Sequence, residues 1–120
     1  MKKKTLVLGA SDNPGRYSYL AIKKLTQHGH PVVAIGRKKT QVGITAVETT
    51  MIPFAEVHTV TLYLNPTNQQ PYYNYILDLN PKRIIFNPGT ENDTLVAMAE
   101  ERGIEALYAC TLVMLSTHQF

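Results

Sequence analysis

The stretch from Thr5 to Ser18, TLVLGASDNPGRYS, constrains this chain more than any other. Leu6, Val7 and Leu8 form the continuous apolar run of a buried strand. Gly9 to Gly15 is a turn of small and polar residues, and the segment from Arg16 to His28 reads as a helix. A strand that passes through a tight turn into a helix bares backbone N–H groups at the helix start. With the positive end of the helix dipole, those groups make an anion site, most often for phosphate. Gly9 permits close approach of the backbone, Ser11 offers a hydroxyl, and Arg16 and Ser18 add donors beside the turn. The dinucleotide fingerprint G-x-G-x-x-G is not met, because Ser11 and Pro14 stand where its second and third glycines belong. The same residues also suit a plain strand–helix connection with Pro14 near the first helical turn.

The rest of the chain repeats the alternation. Pro31–Ile35 is an apolar run for a second strand, entered through the Gly29 cap and left through Gly36-Arg37-Lys38-Lys39. In the first helix Tyr17, Leu20, Ala21 and Leu25 are spaced for an inward stripe. Residues 40–53 read as a short extended or irregular link, with one helical turn over Glu48–Met51. A third strand covers Val57–Leu64 and a second helix Asn68–Leu79, ended by Asn80-Pro81. Arg83–Phe86, a helix over Asn92–Arg102 and Ile104–Tyr108 complete the pattern, followed by a short apolar tail, Leu112–Leu115. This order predicts an α/β fold: a doubly wound parallel sheet of about five strands, helices on both faces, in a single domain over 1–120. Strand order 3-2-1-4-5 gathers the polar turns after strands one to four at one sheet edge, around a topological switch point.

With 120 residues the chain has room for one core. No apolar run is long enough to cross a bilayer, and the run after Lys2-Lys3-Lys4 is too short for a signal peptide, so a cytoplasmic location is expected. A single cysteine, Cys110, excludes an internal disulfide and a cysteine-rich zinc site. The net charge of +3 lies in two short clusters without interleaved aromatics, which argues against nucleic acid as a partner and suits a small phosphate-bearing ligand. His28 and His30 flank a glycine at a helix end with no third ligand nearby, a solvated terminus rather than a metal pair. The exposed edges of so small a sheet leave room for a homodimer.

Val7-Leu8-Gly9-Ala10-Ser11-Asp12-Asn13-Pro14-Gly15-Arg16-Tyr17-Ser18 resembles the opening of the small bacterial CoA-binding proteins. These are stand-alone Rossmann-like domains similar to the CoA-binding domain of the succinyl-CoA synthetase alpha subunit. Pro88-Gly89-Thr90-Glu91-Asn92, Glu100-Glu101-Arg102-Gly103-Ile104 and Cys110 extend the likeness more loosely over nearly the whole chain. Two positions depart from it. Ile35-Gly36-Arg37-Lys38 stands where the family usually has Val-Asn-Pro-Lys, and His58 where it commonly has an aspartate.

The resemblance implies coenzyme A or an acyl-CoA as ligand. The implied binding residues are Gly9, Ala10, Ser11, Asn13, Pro14, Arg16, Tyr17 and Ser18, around the pyrophosphate and pantetheine. Gly36, Arg37 and Lys38 follow, with Lys38 near the adenosine phosphate, and Asn65, Pro66, Pro88, Gly89 and Asn92 line the rest. It implies no reaction, because the synthetase works through a phosphohistidine in another domain. No histidine here sits in a motif with a nucleophile and an orienting acid, and no catalytic or metal residue is expected. A non-catalytic binding module, a sensor or carrier, is the leading expectation. An NADP-binding oxidoreductase or redox sensor, drawing on Arg37-Lys38-Lys39 for a 2′-phosphate, is the second. An interaction domain with a degenerate ligand site is the third.

Overall fold

The computed structural model describes residues 2–120. Its elements in chain order are β1 (Thr5–Ala10), α1 (Tyr17–Gln27), β2 (Val32–Gly36), β3 (Thr40–Val42), β4 (Thr45–Glu48), β5 (Thr59–Leu62), α2 (Pro66–Gln69), α3 (Tyr73–Leu79), β6 (Arg83–Phe86), α4 (Asp93–Glu101), β7 (Glu105–Tyr108) and α5 (Thr111–Ser116). They build one seven-stranded sheet in the order β3-β4-β2-β1-β5-β6-β7. Every neighbouring pair is parallel except β3 with β4.

The doubly wound α/β sheet is as the sequence predicts, with more strands and a different order. Val57–Leu64, expected beyond the second strand, runs as β5 beside β1. Its expected place is taken by β4, half of a hairpin in the link that reads as irregular. Numbering the parallel strands in chain order gives 3-2-1-4-5-6, with β4 as the third. The hairpin is inconspicuous because β3 and β4 are short and alternate buried with exposed residues, a pattern too brief to register. No helical turn forms at Glu48–Met51, because Glu48 ends β4.

Strand periodicity divides the core between the two faces. Leu6, Leu8, Val60, Leu62, Ile84 and Phe86 point to one side and pack with Ile76 and Leu77 of α3 and Leu95 and Ala99 of α4. Val7, Ala34 and Val47 point to the other and pack with Ile22 and Leu25 of α1 and Leu115 of α5. The expected second helix is split into α2, a 3-10 turn over Gln70–Tyr72, and α3. Pro71 has no N–H to continue the α-helical ladder. The apolar tail is the helix α5. The buried stripe of α1 is Ser18, Ala21, Ile22 and Leu25; Tyr17 and Leu20, expected inward, are 72% and 42% exposed.

Candidate functional site

A cleft of about 1000 Å³ opens at the carboxyl ends of β1, β2, β5 and β6. It lies where the sheet order reverses between β1 and β5, the usual ligand position in open α/β sheets. Two glycines bring main chain to its wall. Gly9 has φ +95°, at a register shift in β1 between Leu8 and Ala10, and a Cβ there would stand 3.0 Å from the Tyr63 carbonyl carbon. At Gly36 a Cβ would come within 2.2 Å of the Ala10 carbonyl oxygen, so only glycine fits. The two strand ends close against each other, backbone on backbone.

The turn after β1 satisfies part of its own hydrogen bonding. Ser11 Oγ accepts from the Asn13 N–H at 3.0 Å, and Asn13 Oδ1 accepts from the Gly15 N–H at 2.9 Å. The Asn13 carbonyl accepts from the Arg16 N–H at 3.0 Å. What remains open is the first turn of α1. The N–H of Leu20 reaches the Arg16 carbonyl, while those of Tyr17, Ser18 and Tyr19 meet no acceptor among the described residues. Arg16 occupies the N-cap position without a side-chain cap, and no carboxylate lies in that first turn. These three donors stand at the positive end of an eleven-residue helix, a setting that favours an anion.

The cations around the cleft differ in how free they are. Lys38 Nζ lies 3.0 Å from Asp12 Oδ2, and Lys39 Nζ 3.7 Å from Glu48 Oε1. Asp12 Oδ2 also accepts from Thr40 Oγ1 at 2.9 Å. The hydrogen bond from Lys38, then that from Thr40, hold the Asp12 carboxyl below the usual carboxylate range. Arg16 and Arg37 line the cleft with no carboxylate partner among the described residues.

A buried polar frame fixes the opposite wall. Gln69, fully buried, donates from Nε2 to the carbonyls of Leu64 and Thr90, both at 2.8 Å, tying the turn after β5 to the turn after β6. Asn92 supports Gln69 from behind: its Nδ2 donates to Gln69 Oε1 at 3.0 Å and to the Tyr73 hydroxyl at 2.8 Å. Its Oδ1 accepts from the Leu95 N–H and caps α4. Beneath, Asn87 donates to Thr61 Oγ1 and to the Leu62 carbonyl at 2.7 and 2.9 Å and accepts the Thr111 N–H at 2.9 Å, which pins α5 to the sheet. Tyr63 also borders the cleft; burial pushes its pKa up to about 12, so its hydroxyl stays neutral at physiological pH.

Of the residues expected from the sequence, Gly9, Ala10, Ser11, Asn13, Arg16, Tyr17, Ser18, Gly36, Arg37, Lys38, Asn65, Pro88 and Gly89 lie on the cleft wall. Pro14, Pro66 and Asn92 do not: Pro66 starts α2, and Asn92 is a buried buttress. Sequence reading missed Thr40 and Gln69, and gave Asp12 no role beyond its place in the turn after β1. A polar residue in a link or short helix carries no local sign that folding will aim it at a strand end. Cys110, half-buried at the start of α5, is not part of the wall. His28, His30 and His118 border a different cavity, and His58 precedes β5 at the sheet's amino end. Among the described residues no group of three or more His, Cys, Asp or Glu is arranged to hold a metal, and no helix is long and apolar enough to cross a membrane.

Comparison with known proteins gives a consistent picture. The profile of a family described as "CoA binding domain" matches residues 3–116. No curated protein matches the chain. A crystal structure described as that of an uncharacterized protein is 51% identical, covers 100% of this chain and 99% of its own, and superposes with a TM-score of 0.97. A hypothetical protein from Pyrococcus horikoshii OT3 is 24% identical, with 97% of this chain and 83% of that one covered and a TM-score of 0.85. A Thermus thermophilus protein, at 17% identity and a TM-score of 0.87 over 99% of this chain and 91% of that one, shares the fold.

Proposed function

The chain belongs to the CoA binding domain family, and on that footing we propose that it binds coenzyme A or an acyl-CoA in the cleft as a non-catalytic module, a sensor or carrier. The observation that carries this reading is the trio of unpartnered amides at Tyr17, Ser18 and Tyr19, flanked by the unpaired guanidinium of Arg16. A diphosphate set there gains charge-assisted hydrogen bonds and the α1 dipole. Arg37 and Lys38, at the end of β2, are the cations for the adenosine phosphate. Leu64, Tyr72 and Pro88 supply apolar wall for the pantetheine arm.

The layout of titratable groups supports binding without chemistry. All four histidines sit away from the cleft, and its one carboxylate, Asp12, is committed to Lys38 and Thr40. The open wall of free donors also weighs against a degenerate site. Titration calorimetry and thermal shift with CoA, dephospho-CoA and NADPH test the reading. A ligand at 100 times its Kd stabilises the fold by about 2.7 kcal/mol, so CoA raises Tm clearly and NADPH does not. Absence of any shift at millimolar CoA overturns the proposal, and stabilisation by NADPH alone moves the assignment to the NADP reading.

A further inference from the structure

We infer that Asp12 is a specificity residue of this cleft: it latches Lys38, and so sets how strongly a ligand's terminal phosphomonoester is preferred over the bare ribose. The inference rests on the reading that a CoA-type ligand occupies the cleft, and it concerns a side chain outside the amide site that defines that reading.

Asp12 lies in the turn after β1, whereas Lys38 and Thr40 come from the segment after β2, so their contacts bridge the two strand ends across the cleft wall. Both contacts converge on one oxygen, Oδ2, at 3.0 Å from Lys38 Nζ and 2.9 Å from Thr40 Oγ1. The two partners of the ion pair are unequally held. The Lys38 side chain is 70% exposed on a flexible stem, while that of Asp12 is 36% exposed and anchored by the Thr40 hydroxyl. An incoming phosphate therefore draws the ammonium away and leaves the carboxylate in place, still bonded to Thr40. The carboxylate then stands beside the new anion and repels it. Its charge persists near neutral pH, since both partners favour the ionised form. Binding of a phosphomonoester thus costs the Asp12–Lys38 contact and adds a repulsion, and neither penalty falls on a ligand with a free 3′-hydroxyl.

The test measures Kd for CoA and for dephospho-CoA, which lacks the 3′-phosphate, by calorimetry on the whole chain. Asp12→Asn is expected to tighten CoA by about three- to five-fold, the scale of an exposed ion pair, and to leave dephospho-CoA unchanged. In a Lys38→Ala background that gain disappears. Thr40→Val removes the hydroxyl that anchors Oδ2, so the carboxylate can turn away from the phosphate, and CoA tightens by less than in Asp12→Asn. Glu48→Gln removes an equal charge near Lys39 and leaves the ratio of the two ligands unchanged. The latch is overturned if Asp12→Asn tightens both ligands equally, if the gain survives Lys38→Ala, or if Asp12→Asn weakens CoA. Should neither CoA nor dephospho-CoA bind the native chain, the ligand assignment falls and the latch with it. Binding by the native chain without the differential removes the latch alone.

Discussion

The same parallel strands end in two different ways. At their carboxyl ends the chain leaves donors open: the amides of Tyr17, Ser18 and Tyr19 meet no acceptor among the described residues, and Arg16, Tyr17, Ser18 and Arg37 line a wide cleft. At their amino ends it closes almost every group. The Thr5 N–H meets the Pro31 carbonyl, those of His58 and Thr59 meet Lys4, and those of Lys82 and Arg83 meet His58. Lys3 donates its N–H to His30 Nδ1 at 3.0 Å and its ammonium to the Phe120 carbonyl at 2.7 Å. The Phe120 ring covers the buried Arg83 guanidinium at 4.4 Å, beside a cavity of about 290 Å³ lined by Lys2, Lys3, His28, His30 and His118. Helix polarity explains the contrast. α1 offers its positive end to the cleft and its negative end to this cationic corner, where Lys2 Nζ lies 3.4 Å from the His28 carbonyl. At the amino end Lys2 meets the helix-end carbonyl of His28, whereas at the carboxyl end the first amides of α1 have no acceptor among the described residues.

Perturbing each end should give unequal results. Gly36→Ala forces a Cβ onto the Ala10 carbonyl and should cost about 3 kcal/mol, read as a lower denaturation midpoint at unchanged m-value. Asn87→Ala strands the Thr111 N–H and frees α5, with an expected loss of about 2 kcal/mol and faster hydrogen exchange confined to residues 111–116. At the closed end Arg83→Met should change stability by less than about 1 kcal/mol. Relief of the unpartnered Nη2 is offset by loss of the Nε bond to Thr59 Oγ1 and of the contact with the Phe120 ring. The Arg83 guanidinium is buried with Nη2 unpartnered among the described residues, and burial lowers its pKa. A large loss there would show that the arginine organises the amino end instead of merely being tolerated.

The smallest effect is a pH dependence that also belongs to the closed end. Burial first, then the nearby lysines, lower the pKa of His30; burial first, then Arg83, lower that of His58. Below the ordinary imidazole value of 6.5 the unfolded chain then binds more protons than the folded one. Stability is present above that pH and declines as pH falls through it, by a few degrees in Tm. His30→Asn should flatten part of that slope. If the slope is unchanged in a His30→Asn, His58→Asn double variant, the titration lies elsewhere.

What the sequence shows depends on how local the signal is. Leu6-Val7-Leu8, the Gly9–Gly15 turn and the cap at Gly29 announce β1, its turn and α1, because apolar runs, glycine and proline act within a few residues. The β3–β4 hairpin is hidden, since a strand of three or four residues with one wet face has no run to detect. Tyr17 reads as inward from its spacing, yet the sheet selects the small Ser18 for the buried face. Thr59 and Thr61 are polar residues in a strand, yet both are fully buried, and Thr61 bonds to Asn87 and Thr111. Partners so distant in sequence leave no mark on either neighbourhood. Gln69 bracing two turns is invisible for the same reason.

The glycine contact at the meeting of β1 and β2 carries a consequence for how such a pocket can change over time. Where Gly36 abuts the Ala10 carbonyl, the binding surface is peptide alone, and peptide is common to every sequence. In this chain, then, any change in what the cleft accepts is left to its rim, where side chains stand.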